Sequence, residues 1–174
     1  MAPSPSSAAL PIAHGLLRVL LVLNWLYGAA ILALLTAMLV AAPWTMTALG
    51  VPPSPGEALA TGLRAIAVLG LVTIPLNFVI LKRLVAMVET VRAGDPFVAA
   101  NAGRLQAIAW AFLGLQVLSL IIGAIASAVS TASHPLHLDA GFSLSAWLAV
   151  LLTFVLARVF AEGARMREDL EGTI

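Results

Sequence analysis

Four long apolar runs divide the chain, and the charged residues gather in the segments that join or follow them. The first run, LLVLNWLYGAAILALLTAMLVAA from Leu20 to Ala42, carries no charged side chain. The second is most apolar between Arg64 and Lys82, the third follows Gln106 to about Ser130, and the fourth opens at Phe142. Each approaches the roughly 20 residues that an α-helix needs to cross about 30 Å of hydrocarbon. The pattern predicts four transmembrane helices over about 18–42, 60–82, 106–130 and 142–161.

Three of these helices are predicted to outrun the bilayer. The second stays helical in pattern from Glu57 to Ala93, roughly 37 residues or about 55 Å at 1.5 Å per residue, so KRLVAMVETVRA must project into water. Gly94 is placed as the residue that stops it, and Asp95-Pro96 reads as a turn or an N-cap with Pro at N1. The third helix is expected to start between Pro96 and Asn101, before its hydrocarbon run begins. The fourth continues without a breaker into EGARMREDLEG. The result is a charged hairpin over about 83–108 and a polar C-terminal helix over about 158–172. Pro75 removes a backbone donor inside the second helix and is expected to kink it. Pro43 and Trp44 mark the exit of the first span, followed by a loop to Gly56 that contains Pro52, Pro53 and Pro55. Residues 1–13, uncharged and rich in Pro, Ser and Ala, read as a mobile tail, leaving 14–174 as one four-helix membrane domain.

Composition agrees with this pattern. Of 174 residues, 61% are hydrophobic and 10% charged, with mean hydropathy +1.06, far from the balance of a soluble domain. Net charge is only +1, but its distribution is uneven. Arg18, Lys82, Arg83, Arg92, Arg104, Arg158, Arg165 and Arg167 fall on one side of the predicted spans and Arg64 alone on the other. The positive-inside rule then places both termini and the hairpin in the cytoplasm. Trp25 and Trp110 lie toward that side, Trp44 and Trp147 toward the other, as two interfacial belts require. The fold class is an all-α polytopic membrane protein, N-in and C-in, with helices 2, 3 and 4 extending into the cytoplasm. The absence of cysteine excludes disulfides, thiol chemistry and thiolate metal sites.

The extensions need partners other than lipid. Leu84, Val88 and Val91, then Val98, Ala102, Leu105 and Ile108, then Val159, Gly163, Met166, Leu170 and Ile174 repeat at helical spacing, which predicts three stripes packed on one another. Ion pairs are expected for Glu89 with Arg92, Arg158 with Glu162, Glu162 with Arg165, Arg165 with Asp169, and Arg167 with Glu171. Phe97, beside Pro96, is suited to folding over the stripes, and Asn101 to capping the third helix or bonding the preceding turn. Arg104 is within reach of Glu89, Asp95 or Glu162. Two readings of Asp95, Pro96, Phe97, Asn101, Arg104, Glu162, Arg165 and Arg167 stay open: a self-satisfied helical stalk, or a surface that binds a cytoplasmic partner.

Two segments resemble a known family. GDPFVAANAGRLQAIAW, with Gly94, Pro96, Phe97, Asn101, Arg104 and Leu105, and VLARVFAEGARMREDLEGTI, with Phe160, Gly163, Arg167 and Glu168, are similar in order and wording to stretches of the bacterial four-helix membrane proteins of domain of unknown function 2975. The resemblance spans nearly the whole chain after its N-terminal tail. It implies no enzymatic activity, and it implies a small helix-turn-helix regulator as partner, since members are often encoded beside one. Glu162, beside Ala161, stands where a basic residue is common before the glycine, which weakens any reading of the tail as a uniformly basic surface.

Inside the spans, Asn24 and Asn77 should lie on the order of 8 Å below the cytoplasmic boundary, with Thr153 near them and Gln116 near the midplane. Such polar residues are either packing between helices, at about 0.6 to 2 kcal/mol, or the wall of a small polar cavity near Pro75. No Asp, Glu, Lys or His lies deep in a span, which argues against a proton-coupled pump. Arg64 reads as snorkelling to the outer interface or binding anionic lipid. His134 and His137, with Asp139, are weak metal ligands across Pro135, and His14 falls on the opposite side of the membrane. No intramembrane Ser has a His or Lys partner, and no phosphate loop or dinucleotide fingerprint occurs, so no cofactor is expected. The sequence therefore predicts a non-enzymatic regulatory or anchoring protein of the lipid bilayer that binds a small cytoplasmic DNA-binding regulator and does not itself bind nucleic acid. The alternative is a small transporter or lipid- or small-molecule-binding protein, acting as a homo-oligomer and most simply a dimer.

Overall fold

The computed structural model describes residues 5–50, 56–130 and 140–171. They form five helices: α1 (Pro5–Val40), α2 (Ala42–Ala48), α3 (Glu57–Arg92), α4 (Ala99–Val129) and α5 (Leu144–Glu171). α1, α3, α4 and α5 are each long and apolar enough to cross a membrane. They mark a multi-pass membrane protein. The proline loop with Pro52, Pro53 and Pro55, and the His134, His137 and Asp139 segment, lie outside the described residues, as does Ile174 of the expected C-terminal stripe.

Two features depart from the sequence reading. α1 starts at Pro5, inside the segment expected to be a tail. Proline is compatible with the first helical position because its missing N–H would have no partner there, and its φ is already helical. The stretch after Val40, expected to be loop, contains α2, with a proline in its first turn. Pro43 therefore starts a second short helix as well as ending the first. α3, in contrast, runs unbroken through Pro75.

The described chain divides into two compact units. The first comprises Met1–Asn24, Leu76–Gly114 and Leu144–Ile174. It holds the α3–α4 turn and all of α5. The second comprises Trp25–Pro75 and Leu115–Ser143. Met38, Met46 and Leu59 are its buried centre, with Ala60, Leu63 and Val129 packed against them.

Close approach in the second unit depends on small residues. A Cβ on Gly62 would stand 2.6 Å from Val129, and one on Gly123 would stand 2.9 Å from the backbone at Ala140 and Gly141. There Ser119 Oγ donates to the Gly141 carbonyl at 3.3 Å and accepts from the Gly141 N–H at 3.0 Å. One hydroxyl thus satisfies both backbone groups of the residue that leads into α5. Arg64 donates from its guanidinium to the Met38 carbonyl at 3.4 Å. That carbonyl is among the last four of α1, which lack intrahelical donors and carry the negative end of the helix dipole. Arg64 thus caps a neighbouring helix.

Candidate functional site

The first unit contains the expected hairpin, and its geometry begins with Gly94. At φ +85° this glycine adopts the left-handed conformation that side chains disfavour. Its N–H donates to the Val91 carbonyl at 3.1 Å, and the next N–H, of Asp95, reaches back to Thr90 at 3.1 Å. These two bonds form a Schellman ending, which satisfies the last carbonyls of α3 and reverses the chain. Pro96 cannot continue the helix, and α4 begins three residues later at Ala99.

Asn101 then ties the turn together. It is 0% exposed. Its Nδ2 donates to Thr90 Oγ1 and to the Pro96 carbonyl, both at 2.8 Å, while its Oδ1 accepts from Arg104 Nη1 at 2.7 Å. The Thr90 hydroxyl in turn donates to the Met87 carbonyl at 2.8 Å. Arg104 Nη1 also donates to the Ala86 carbonyl at 3.2 Å, which joins α4 to α3. The amide thus uses both donors and its acceptor in a site closed to water, where an unmade bond would cost the full desolvation of the group. Arg104 takes these partners in place of the acidic ones expected for it.

α5 docks on this hairpin by two kinds of contact. Arg167 forms an ion pair with Asp95; the side chain of Glu171, its partner expected from sequence, lies outside the described residues. The Phe97 and Phe160 rings pack with centroids 5.3 Å apart and planes 30° from parallel. Gly163 lies against the Phe97 ring: a Cβ there would touch it at 3.4 Å, an ordinary contact that leaves no space for a longer side chain. Glu162 and Arg165 face solvent and approach each other at 3.9 Å. Of the eight hairpin and tail residues singled out in the sequence, Asp95, Pro96, Phe97, Asn101, Arg104 and Arg167 thus form one connected clasp. Glu162 and Arg165 remain on the surface beside it. Thr90 is the member that sequence reasoning missed, because only the folded turn brings it to Asn101.

The C-terminal apolar stripe is corrected. Val159 is 56% and Met166 57% exposed, whereas Ala157 is 7% and Ala164 4%. The packed face of α5 runs through Val150, Ala157 and Ala164, with Phe160 and Gly163 flanking it. Small side chains let helices approach closely, and in a membrane large apolar ones lose nothing by facing lipid.

The intramembrane polar residues singled out in the sequence fall in both units. Asn24 is buried in the first unit, which also holds Asn77 and Thr153. The Thr153 hydroxyl donates to the Ala149 carbonyl of its own helix at 2.6 Å. Gln116 belongs to the second unit, where its Oε1 is buried without a partner. That unit also has an apolar groove of 380 Å³ lined by Tyr27, Met38, Leu63, Ile66, Gly70 and Ile122 among others. Among the described residues no group of three His, Asp or Glu is placed to hold a metal ion.

The family model described as "Protein of unknown function (DUF2975)" matches residues 26–174. That is most of the chain, and it includes both the hairpin and the α5 tail. Comparison with curated proteins and with solved structures gives no match. The chain belongs to the DUF2975 family.

Proposed function

We propose that this DUF2975 member is a non-enzymatic regulatory or anchoring protein of the bacterial inner membrane, with both termini in the cytoplasm. Its α3–α4 turn and the polar end of α5 would form the docking surface for a small cytoplasmic partner. The orientation rests on the eight basic residues that fall on one side of the spans against Arg64 on the other. The clasp carries the functional reading. Asn101 is bonded to Thr90 and Arg104 within the turn, and Asp95 pairs the turn with Arg167 of α5, a preorganised arrangement of the turn and α5. Preorganisation lowers the ordering cost of binding. Glu89, Arg92, Glu162, Arg165 and Glu168 are left exposed on that surface, where mixed charge gives selectivity for a partner. A helix-turn-helix regulator as that partner is an analogy from the family.

A photoreactive residue at position 165, placed in the full chain in native membranes, tests this. The expected result is a discrete crosslink to one small soluble protein, lost in a Glu162→Lys, Glu168→Lys variant that keeps its membrane insertion and thermal stability. Absence of such a crosslink, or its survival after charge reversal, defeats the docking reading.

A second reading, a small transporter or lipid- or small-molecule-binding protein acting as a dimer, draws on the apolar groove of the second unit and on the unpartnered Oε1 of Gln116. It requires that replacing Asn24, Asn77 and Gln116 with apolar residues abolish transport or ligand binding while leaving the clasp intact.

A further inference from the structure

We propose that a groove between α4 and α5 in the first unit binds the phosphate-bearing headgroup of an anionic membrane lipid. The groove has a volume of 220 Å³, several times the about 30 Å³ of one water molecule. Its floor is made of Ala102, Gly103, Ala157 and Ala161, and its polar walls are Gln106 and Arg158. The small floor residues create the space. A Cβ added to Gly103 would meet no heavy atom within 4 Å.

Charge and depth point to the ligand. Arg158 was expected to pair with Glu162, but Glu162 turns to Arg165. Among the described residues Arg158 has no hydrogen-bond or ion-pair partner. It is also the first charged residue after the uncharged run 142–157. On α4, Gln106 is the last polar side chain before the apolar run 107–115. Both walls therefore stand where their helices leave hydrocarbon, the level at which lipid phosphates lie. Below them Phe154 lines the groove and meets the Trp110 indole edge-on at 5.3 Å. Trp110 is exposed there, as an interfacial indole is. An unpaired guanidinium over an aromatic and methyl-lined slot fits a phosphodiester whose acyl chains run down along Phe154 and Trp110. Arginine is suited to it because its planar donor fork matches phosphate oxygens.

The inference is independent of any protein docking at the clasp. The test uses the full chain in bilayers of equal phosphatidylglycerol and phosphatidylcholine, released for native mass spectrometry. Wild-type protein is expected to retain phosphatidylglycerol preferentially. Arg158→Gln should reduce that preference about fivefold, the effect of one basic residue near an anionic surface. Gly103→Leu, which fills the groove from open space, should reduce it by a similar factor while leaving the charge unchanged. Arg92→Gln, outside the groove, should not. Equal losses in the Arg92 and Arg158 variants, or an unaffected Gly103→Leu, would overturn the site. So would displacement of the lipid by inorganic phosphate alone, which would make it a free-anion site.

Discussion

Replacing Asn101 with Ala removes three hydrogen bonds made by a fully buried side chain. The two donated by Nδ2, to Thr90 Oγ1 and the Pro96 carbonyl, are neutral and contribute about 1 kcal/mol each. The third, accepted from Arg104, is charge-assisted and is worth about 1.5 to 3 kcal/mol. Thr90 Oγ1 keeps its bond to Met87, and Arg104 keeps Ala86, so both retain a partner. The Pro96 carbonyl and Arg104 are also near enough to solvent for water to recover part of the loss. The expected destabilisation is about 2 to 3 kcal/mol. Asn101→Asp separates the terms, because it keeps the acceptor for Arg104 and the side-chain shape but loses both donors. It also sets a carboxylate oxygen against the Pro96 carbonyl. Asp should therefore fall between wild type and Ala. Thermal unfolding in detergent measures the total, and hydrogen exchange at the amides of Gly94 and Asp95 localises it to the turn. An Ala variant within about 0.5 kcal/mol of wild type, with exchange at those amides unchanged, would refute the claim that Asn101 holds the hairpin.

Three further outcomes follow from the same geometry. The Asp95 and Arg167 side chains are 38% and 47% exposed, so a double-mutant cycle through Asp95→Asn and Arg167→Gln should give a coupling of about 1 kcal/mol or less, shrinking as salt is raised. Gly163→Leu should expel the Phe97 ring from its seat 3.4 Å away and release the end of α5, seen as faster hydrogen exchange beyond Ala161. Phe97→Ala in the same chain should restore much of the protection. Since the chain has no cysteine, single cysteines at the exposed positions Glu89, Glu162 and Thr47 report orientation directly. The first two should react with a membrane-impermeant reagent only from the cytoplasmic side, and Thr47→Cys only from the opposite side; the reverse pattern overturns the proposed topology.

The elements were legible where the signal was local. α3 was expected to run from Glu57 to Ala93 and runs from Glu57 to Arg92, because apolar length and a stopping glycine are both written in adjacent residues. α4 starts at Ala99, inside the window set by Pro96 and Asn101. α2 was missed because a proline and a tryptophan after an apolar run suit the first turn of a new helix as well as the end of an old one. At the clasp, residue types were legible but partners were not. Thr90 and Asn101 are 11 positions apart and Asp95 and Arg167 are 72, so only the fold brings them together.

The α5 stripe shows why periodicity alone selects the wrong face in such a helix. Large apolar residues recur around most of its circumference, so several faces satisfy a helical repeat. In water the largest apolar side chains would decide which face is buried. Next to lipid that preference disappears, and close packing decides instead. Val150, Ala157 and Ala164 repeat at intervals of seven and are all buried, the spacing that keeps one seam facing a neighbouring helix. The seam continues past Arg158, where the uncharged run ends, so the same small-residue face that packs the hydrocarbon portion of α5 also seats its polar end. A bulky substitution at Ala164 should therefore unseat the clasp even though Ala164 forms none of its hydrogen bonds.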